Sequence, residues 1–70
     1  MNAGRILWFN ESKGFGMIHD VEGREIYFHY TSVSDPLVKK TITGGTRVIY
    51  DLFQTSIGWE ASNVRLEMFE

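Results

Sequence analysis

The chain contains no cysteine. That removes disulfide frameworks and thiolate metal sites, and it agrees with a reducing compartment. There is a single proline, and no apolar run is long enough to cross a membrane as a helix. Met1-Asn2-Ala3-Gly4-Arg5 leads straight into a strand-like run with no apolar signal-peptide core, so a cytoplasmic location is expected. Excess positive charge is missing as well: seven Lys and Arg against nine Asp and Glu give a formal net charge of −2. This weighs against strong non-specific duplex DNA binding, which rests on neutralising phosphates. Signatures of catalysis are lacking: no Ser-His-Asp set that strand parity would gather, no paired carboxylates beside a cleft, no P-loop. Gly14-x-Gly16 lacks the third glycine and the following helix of a dinucleotide fingerprint. An enzyme is therefore not expected, nor a cofactor or a small-molecule substrate.

What the sequence does have is aromatic residues in unusual places. Seventy residues make one domain, spanning 1–70, with a small core. Trp8-Phe9-Asn10-Glu11-Ser12-Lys13-Gly14-Phe15-Gly16-Met17-Ile18 and Ile26-Tyr27-Phe28-His29-Tyr30 hold most of the aromatics, many at every second position. A chain this small cannot bury them all. Aromatic side chains standing out from one face of a sheet form a platform on which nucleobases stack. Arg5, Lys13, Lys39 and Lys40 lie in or beside these stretches, while Glu60, Glu67 and Glu70 lie at the far end.

Five strands are predicted: 4–10, 15–20, 25–30, 47–53 and 59–67, each rich in β-branched or aromatic residues. Asn10 to Gly14 and Val21 to Arg24 read as turns, and so does Gln54 to Gly58. A hairpin centred on Gly23 sets Met17 opposite His29 and His19 opposite Tyr27. Phe15, Met17 and His19 then share a face with Tyr27 and His29, while Ile18, Ile26 and Phe28 share the other. Val48, Tyr50 and Leu52 form one face of the fourth strand, with Ala61 and Val64 inward on the fifth. Residues 31–46 are irregular: Pro36 and the β-branched Thr41, Ile42 and Thr43 argue against a ten-residue helix, and one short helical turn follows Tyr30. Short strands without a substantial helix indicate an all-β fold, a small five-stranded antiparallel barrel of OB type, which leaves no open sheet edge.

These residues resemble a bacterial cold-shock protein, the isolated cold-shock domain, over nearly the whole chain. The resemblance is carried by Gly4 and Trp8-Phe9-Asn10, by Lys13-Gly14-Phe15-Gly16-Met17-Ile18 and Ile26-Tyr27-Phe28-His29-Tyr30 as the two ribonucleoprotein motifs, and by Ala61-Ser62-Asn63-Val64. It implies an OB-type barrel that binds single-stranded RNA and DNA as an RNA chaperone, with low sequence specificity, a pyrimidine preference and a role in cold or stress adaptation and gene regulation. By matching positions it implies that Trp8, Phe15, Met17, Tyr27, His29 and Tyr30 bind nucleic acid with Lys13 as a charged contact. Phe9, Asn10, Lys39 and Lys40 are expected to make at most secondary contacts. The chain departs from the family at Met17, usually phenylalanine, and at Leu7, usually lysine. The loop around Pro36-Leu37-Val38 lacks the family's aromatic, and Ile57 and Trp59 alter the turn before the last strand. Weakened binding is the expected consequence, because methionine lacks a flat π face.

Strict alternation sets Trp8 on the same face as Ile6, whereas the resemblance wants Trp8 outward and Ile6 buried; a bulge in the first strand would reconcile them. Gly14 and Gly16 read as backbone requirements, a turn and a place where bulk would block a base. His19 reads as exposed, and His19, His29 and Asp20 fall short of a zinc set, so no metal site is assigned. The alternative function is a protein-interaction or self-associating module. Leu7, Ile49 and Trp59 are apolar where a barrel exterior is usually polar, and together they would serve a homodimer; a monomer is the default expectation.

Overall fold

The polypeptide forms strands where β-branched and aromatic residues cluster. In this computed structural model, which describes residues 2–40 and 42–67, the strands are β1 (Asn2–Asn10), β2 (Phe15–Asp20), β3 (Glu25–His29), β4 (Arg47–Thr55) and β5 (Gly58–Leu66). Thr41 and Glu70 of the sequence reading lie outside the described residues. The strands close into a barrel in the order β1-β2-β3-β5-β4. Four junctions are antiparallel; the closing one, β3 to β5, is parallel and holds only the pairs Ile26–Trp59 and Tyr27–Glu60.

The β2–β3 hairpin differs from the predicted register by two residues. Phe15 pairs with His29, Met17 with Tyr27 and His19 with Glu25. The face assignment survives, because side chains alternate with period two and a slip of two preserves parity. Inside lie Ile18, Ile26 and Phe28, joined by Ile6, Val48, Tyr50, Ala61 and Val64 in one buried cluster.

Two irregularities set which residues reach that cluster. In β1, Ile6 pairs with Ile18 but Trp8 pairs with Met17, so Leu7 is an extra residue. This is the bulge that frees Trp8 from the face of Ile6. Ile6 is 1% exposed and Trp8 41%. In β5, Ile49 pairs with Arg65 but Asp51 with Ser62, and Asn63 adopts φ 52°. Asparagine tolerates this left-handed conformation better than most residues. The bulge lets Ala61 and Val64 both point inward although three positions separate them.

The segment between β3 and β4 begins with a 3-10 turn at Tyr30–Ser32, followed by a short helix α1 (Pro36–Lys40). Proline is compatible with the first helical position because its missing N–H would be unpaired there. The Asp35 carboxylate accepts from the Leu37 amide (2.9 Å) and, through its other oxygen, from the Leu66 amide (3.0 Å). These bonds and the buried Val38 fasten α1 to β5.

One polar group belongs to the core. Asp20 is 1% exposed and accepts from the Tyr50 hydroxyl (2.6 Å), the Glu22 amide (2.8 Å) and the Arg24 guanidinium (3.3 Å). Burial by itself would raise its carboxyl, but these donors outweigh it and hold the group below the usual carboxylate value. Burial and the adjacent Asp20 push the Tyr50 hydroxyl well above the ordinary tyrosine value.

Candidate nucleic-acid interface

Because β1, β2, β3, β5 and β4 are neighbours, outward residues line up across the barrel. One row runs Trp8, Met17, Tyr27, Glu60, Phe53. Phe15 and His29 form the next row, paired with each other. Trp8 meets the Phe15 ring edge-on, with centroids 5.6 Å apart and planes at 76°. Trp8 and Tyr27 are exposed and Phe15 half-buried. Met17, between Trp8 and Tyr27, is only 9% exposed; it lies outside the core cluster, and its larger neighbours leave it little surface.

His29 marks the boundary between two hollows. Its Nδ1 accepts from the Thr31 amide (3.2 Å) and lies 2.9 Å from the Thr31 hydroxyl. A backbone N–H can only donate, so the proton of the neutral ring is on Nε2. On one side of His29 is a hollow of about 340 Å³ walled by Phe15, Tyr27, Phe28, His29, Ile57 and Glu60. On the other is a groove of about 670 Å³ lined by Phe9, the β1–β2 turn from Glu11 to Gly14, Tyr30, Lys39, Lys40, Ile42 and Thr43. Both are of a size that admits a flat ring ligand.

Local structure explains the groove. The Asn10 carboxamide accepts from the Lys13 amide (3.1 Å), the Gly14 amide donates to the Asn10 carbonyl (2.8 Å), and Gly14 takes φ 74°. The Tyr30 amide then donates to the Gly14 carbonyl (2.8 Å), tying the turn to the end of β3. Asn10 is thus committed to the turn. Phe9 stacks on the core ring of Phe28 at 5.9 Å and stands 6.5 Å from Tyr30.

The sequence-predicted residues fall into two groups along this side of the barrel. Trp8, Phe15, Met17, Tyr27 and His29 sit on adjacent rows. Tyr30, Lys13, Phe9, Lys39 and Lys40 border the groove. Gly16 has a different reason from the one read in the sequence: it faces inward, and an added Cβ would strike the Trp8 carbonyl oxygen and come within 2.8 Å of the Phe28 ring. Packing, not access for a base, requires glycine there. His19 and His29 stand at opposite ends of their strands, and Asp20 faces the core, so these three are not brought together. Leu7, Ile49 and Trp59 are also apart. Ile49 pairs with Ala3, four residues from Leu7, or about 13 Å along a strand. Trp59 is half-buried against the core with the Arg24 guanidinium 5.3 Å over its ring.

Phe53, Ile57 and Glu60 were missed as neighbours of the aromatic rows. Ile57 is 85% exposed at the β4–β5 turn, beside the smaller hollow. Only the parallel β3–β5 junction brings these residues beside Tyr27, and no local pattern announces it.

Comparison with known proteins bears on this arrangement. A family model described as the 'cold-shock' DNA-binding domain matches residues 2–67. The chain belongs to the cold-shock domain family. It is 35% identical to cold shock protein 2 of Lactiplantibacillus plantarum over 65 residues, covering 93% of this chain and 97% of that one. It is 35% identical to cold shock protein CspC of Bacillus subtilis over 66 residues, with the same coverages. It is 36% identical to cold shock-like protein CspA of Shewanella violacea, covering 90% of each. Cold-shock domains bind nucleic acid and are not enzymes. In this one residues 15–18 and 26–29 of the two stretches singled out in the sequence lie on the paired strands β2 and β3, beside Trp8 of β1.

Proposed function

We propose that this cold-shock domain binds single-stranded RNA and DNA by stacking bases on Trp8, Phe15, Tyr27 and Tyr30, and that it acts as an RNA chaperone. The observation that carries this reading is the segregation of the two faces. Exposed aromatic rings and a histidine stand on adjacent outward rows, while the aliphatic side chains of the same strands fill the core. Each stacked base contributes about 1–3 kcal/mol whatever its identity, which gives low sequence specificity. Nε2–H of His29 is suited to a base carbonyl, the group that thymine and uracil offer in duplicate, and this favours pyrimidine-rich strands. Glu60 beside the smaller hollow repels phosphate, so a base is the better occupant. Holding bases in this way keeps a strand unpaired, which is the chaperone function proposed for the cold.

Tryptophan fluorescence during titration with a short oligothymidine tests the reading, with duplex DNA as control. Trp8 is quenched as a base stacks on it, whereas Trp59 is half-buried beneath Arg24 and stays nearly constant. Duplex leaves the signal unchanged. A response to duplex as strong as to the single strand refutes stacking.

A further inference from the structure

The chain has only three lysines, Lys13, Lys39 and Lys40, and all three line the larger groove. Glu11 is the one carboxylate on its wall. Three positive charges less one negative leave the groove at +2, in a protein of formal charge −2. The described arginines are elsewhere. Arg24 is engaged by Asp20 and Glu22, Arg65 donates to the Asn63 carbonyl, and Arg5 and Arg47 border a small hollow lined by Ala3 and Val21. Among the described residues, the carboxylate ion pairs are those of Arg24, and none of the three lysines is in an ion pair with a carboxylate.

One of them has another partner. Lys39 Nζ lies 4.9 Å from the centroid of the Tyr30 ring. Its position follows from α1, which Asp35 and Val38 hold against β5. Phe9 stands beside Tyr30, tilted at 43°, so the ammonium covers ring surface on which a base would stack.

We propose that this groove is a phosphate-binding site, and that Lys39 exchanges the Tyr30 ring for a phosphate of the strand when a base takes its place. The proposal rests on the single-strand reading above and adds a site and a switch to it. The ammonium is attracted to the ring by its quadrupole, and a phosphate offers the same ammonium a full charge. Lys13 and Lys40 supply the rest of the positive wall, and Tyr30 supplies the stacking surface. Lys39 thus opposes base stacking while it favours phosphate, and the balance between the two depends on salt.

The test is affinity for hexathymidine as a function of salt, in wild type, Lys39→Gln and Lys40→Gln. Each phosphate neutralised contributes about −0.7 to the slope of log K against log salt. Both variants are expected to flatten the slope by about that amount, equal to a two- to threefold smaller loss of affinity between about 50 and 200 mM salt. At about 1 M salt, where charges are screened beyond about 3 Å, Lys39→Gln binds about two- to fivefold more tightly than wild type, because the ring is free. Its curve crosses the wild-type curve; that of Lys40→Gln does not. An unchanged slope in both variants overturns the phosphate site. Lys39→Gln weaker than wild type at every salt concentration, or the same high-salt gain in Lys40→Gln, overturns the exchange. These failures are separable from failure of the stacking reading, in which wild type binds no oligomer or is insensitive to Trp8→Ala.

Discussion

Replacing Tyr50 by phenylalanine removes one oxygen atom from the core and leaves its partner stranded. Among the described residues, Tyr50 alone donates to Oδ2 of Asp20, at 2.6 Å; the Glu22 amide and Arg24 both go to Oδ1. Asp20 is 1% exposed, so water does not replace the lost donor without rearrangement. A hydrogen bond to a charged group contributes about 1.5–3 kcal/mol, and a buried acceptor left unpaired costs a similar amount. The Ala3 carbonyl loses the same hydroxyl, at 3.2 Å. The whole stability of a chain of this length is roughly 4–10 kcal/mol, so the substitution removes a large share. The melting temperature falls by roughly 10 °C or more. The assay is urea unfolding followed by circular dichroism at several pH values. Asp20 has a folded value depressed below its ordinary 3.8, so its contribution is present above that value and is lost as pH falls through the folded one. The difference between wild type and Tyr50→Phe therefore narrows in acid. Tyr50 has a folded value raised above its ordinary 10; its contribution is complete below that and is lost as pH rises beyond it, a loss the variant cannot show. A difference under about 0.5 kcal/mol at neutral pH, or one that stays constant down to about pH 2, refutes this account of the Asp20–Tyr50 pair.

Trp8→Ala lowers affinity for oligothymidine by about 5- to 150-fold, the equivalent of one stacked base, and lowers the melting temperature less than a core truncation does because the residue is 41% exposed; fluorescence anisotropy with a labelled oligomer reads the loss of affinity. Met17→Phe puts a flat ring between Trp8 and Tyr27 and raises that affinity, by at most about 1–3 kcal/mol; an unchanged Kd in the same assay counts against Met17 as a weak point of the platform. Gly16→Ala forces a methyl against the Trp8 carbonyl and the Phe28 ring and destabilises the barrel by about 1–3 kcal/mol in thermal melts, and a melt identical to wild type contradicts the inward packing of Gly16.

Much of the molecule is determined locally. The strands form where β-branched and aromatic residues gather, and their period of two separates Ile18, Ile26 and Phe28 from Phe15, Met17, Tyr27 and His29 without reference to any distant residue. That is why the two motifs and the composition of the aromatic face were legible, and why an error of two in the hairpin register left the faces intact. The five residues of α1 were less legible, because Pro36 excludes a helix through it yet permits one that begins there.

What the tertiary structure alone decided is everything that depends on barrel closure. The bulge at Leu7 turns Trp8 outward, and it exists because β1 must pair with β2 and β4 at once while coiling around the core. The parallel β3–β5 junction sets Glu60 and Phe53 in line with Tyr27. The folding of α1 against β5 brings Lys39 over Tyr30, so that Lys39 and Lys40 share one groove with Lys13, far away in sequence. None of these juxtapositions has a local signal, since each depends on partners well away in sequence, from Trp8–Met17 across the bulge to Tyr27–Glu60 and Asn2–Tyr50 across the barrel, rather than on the preferences of neighbours.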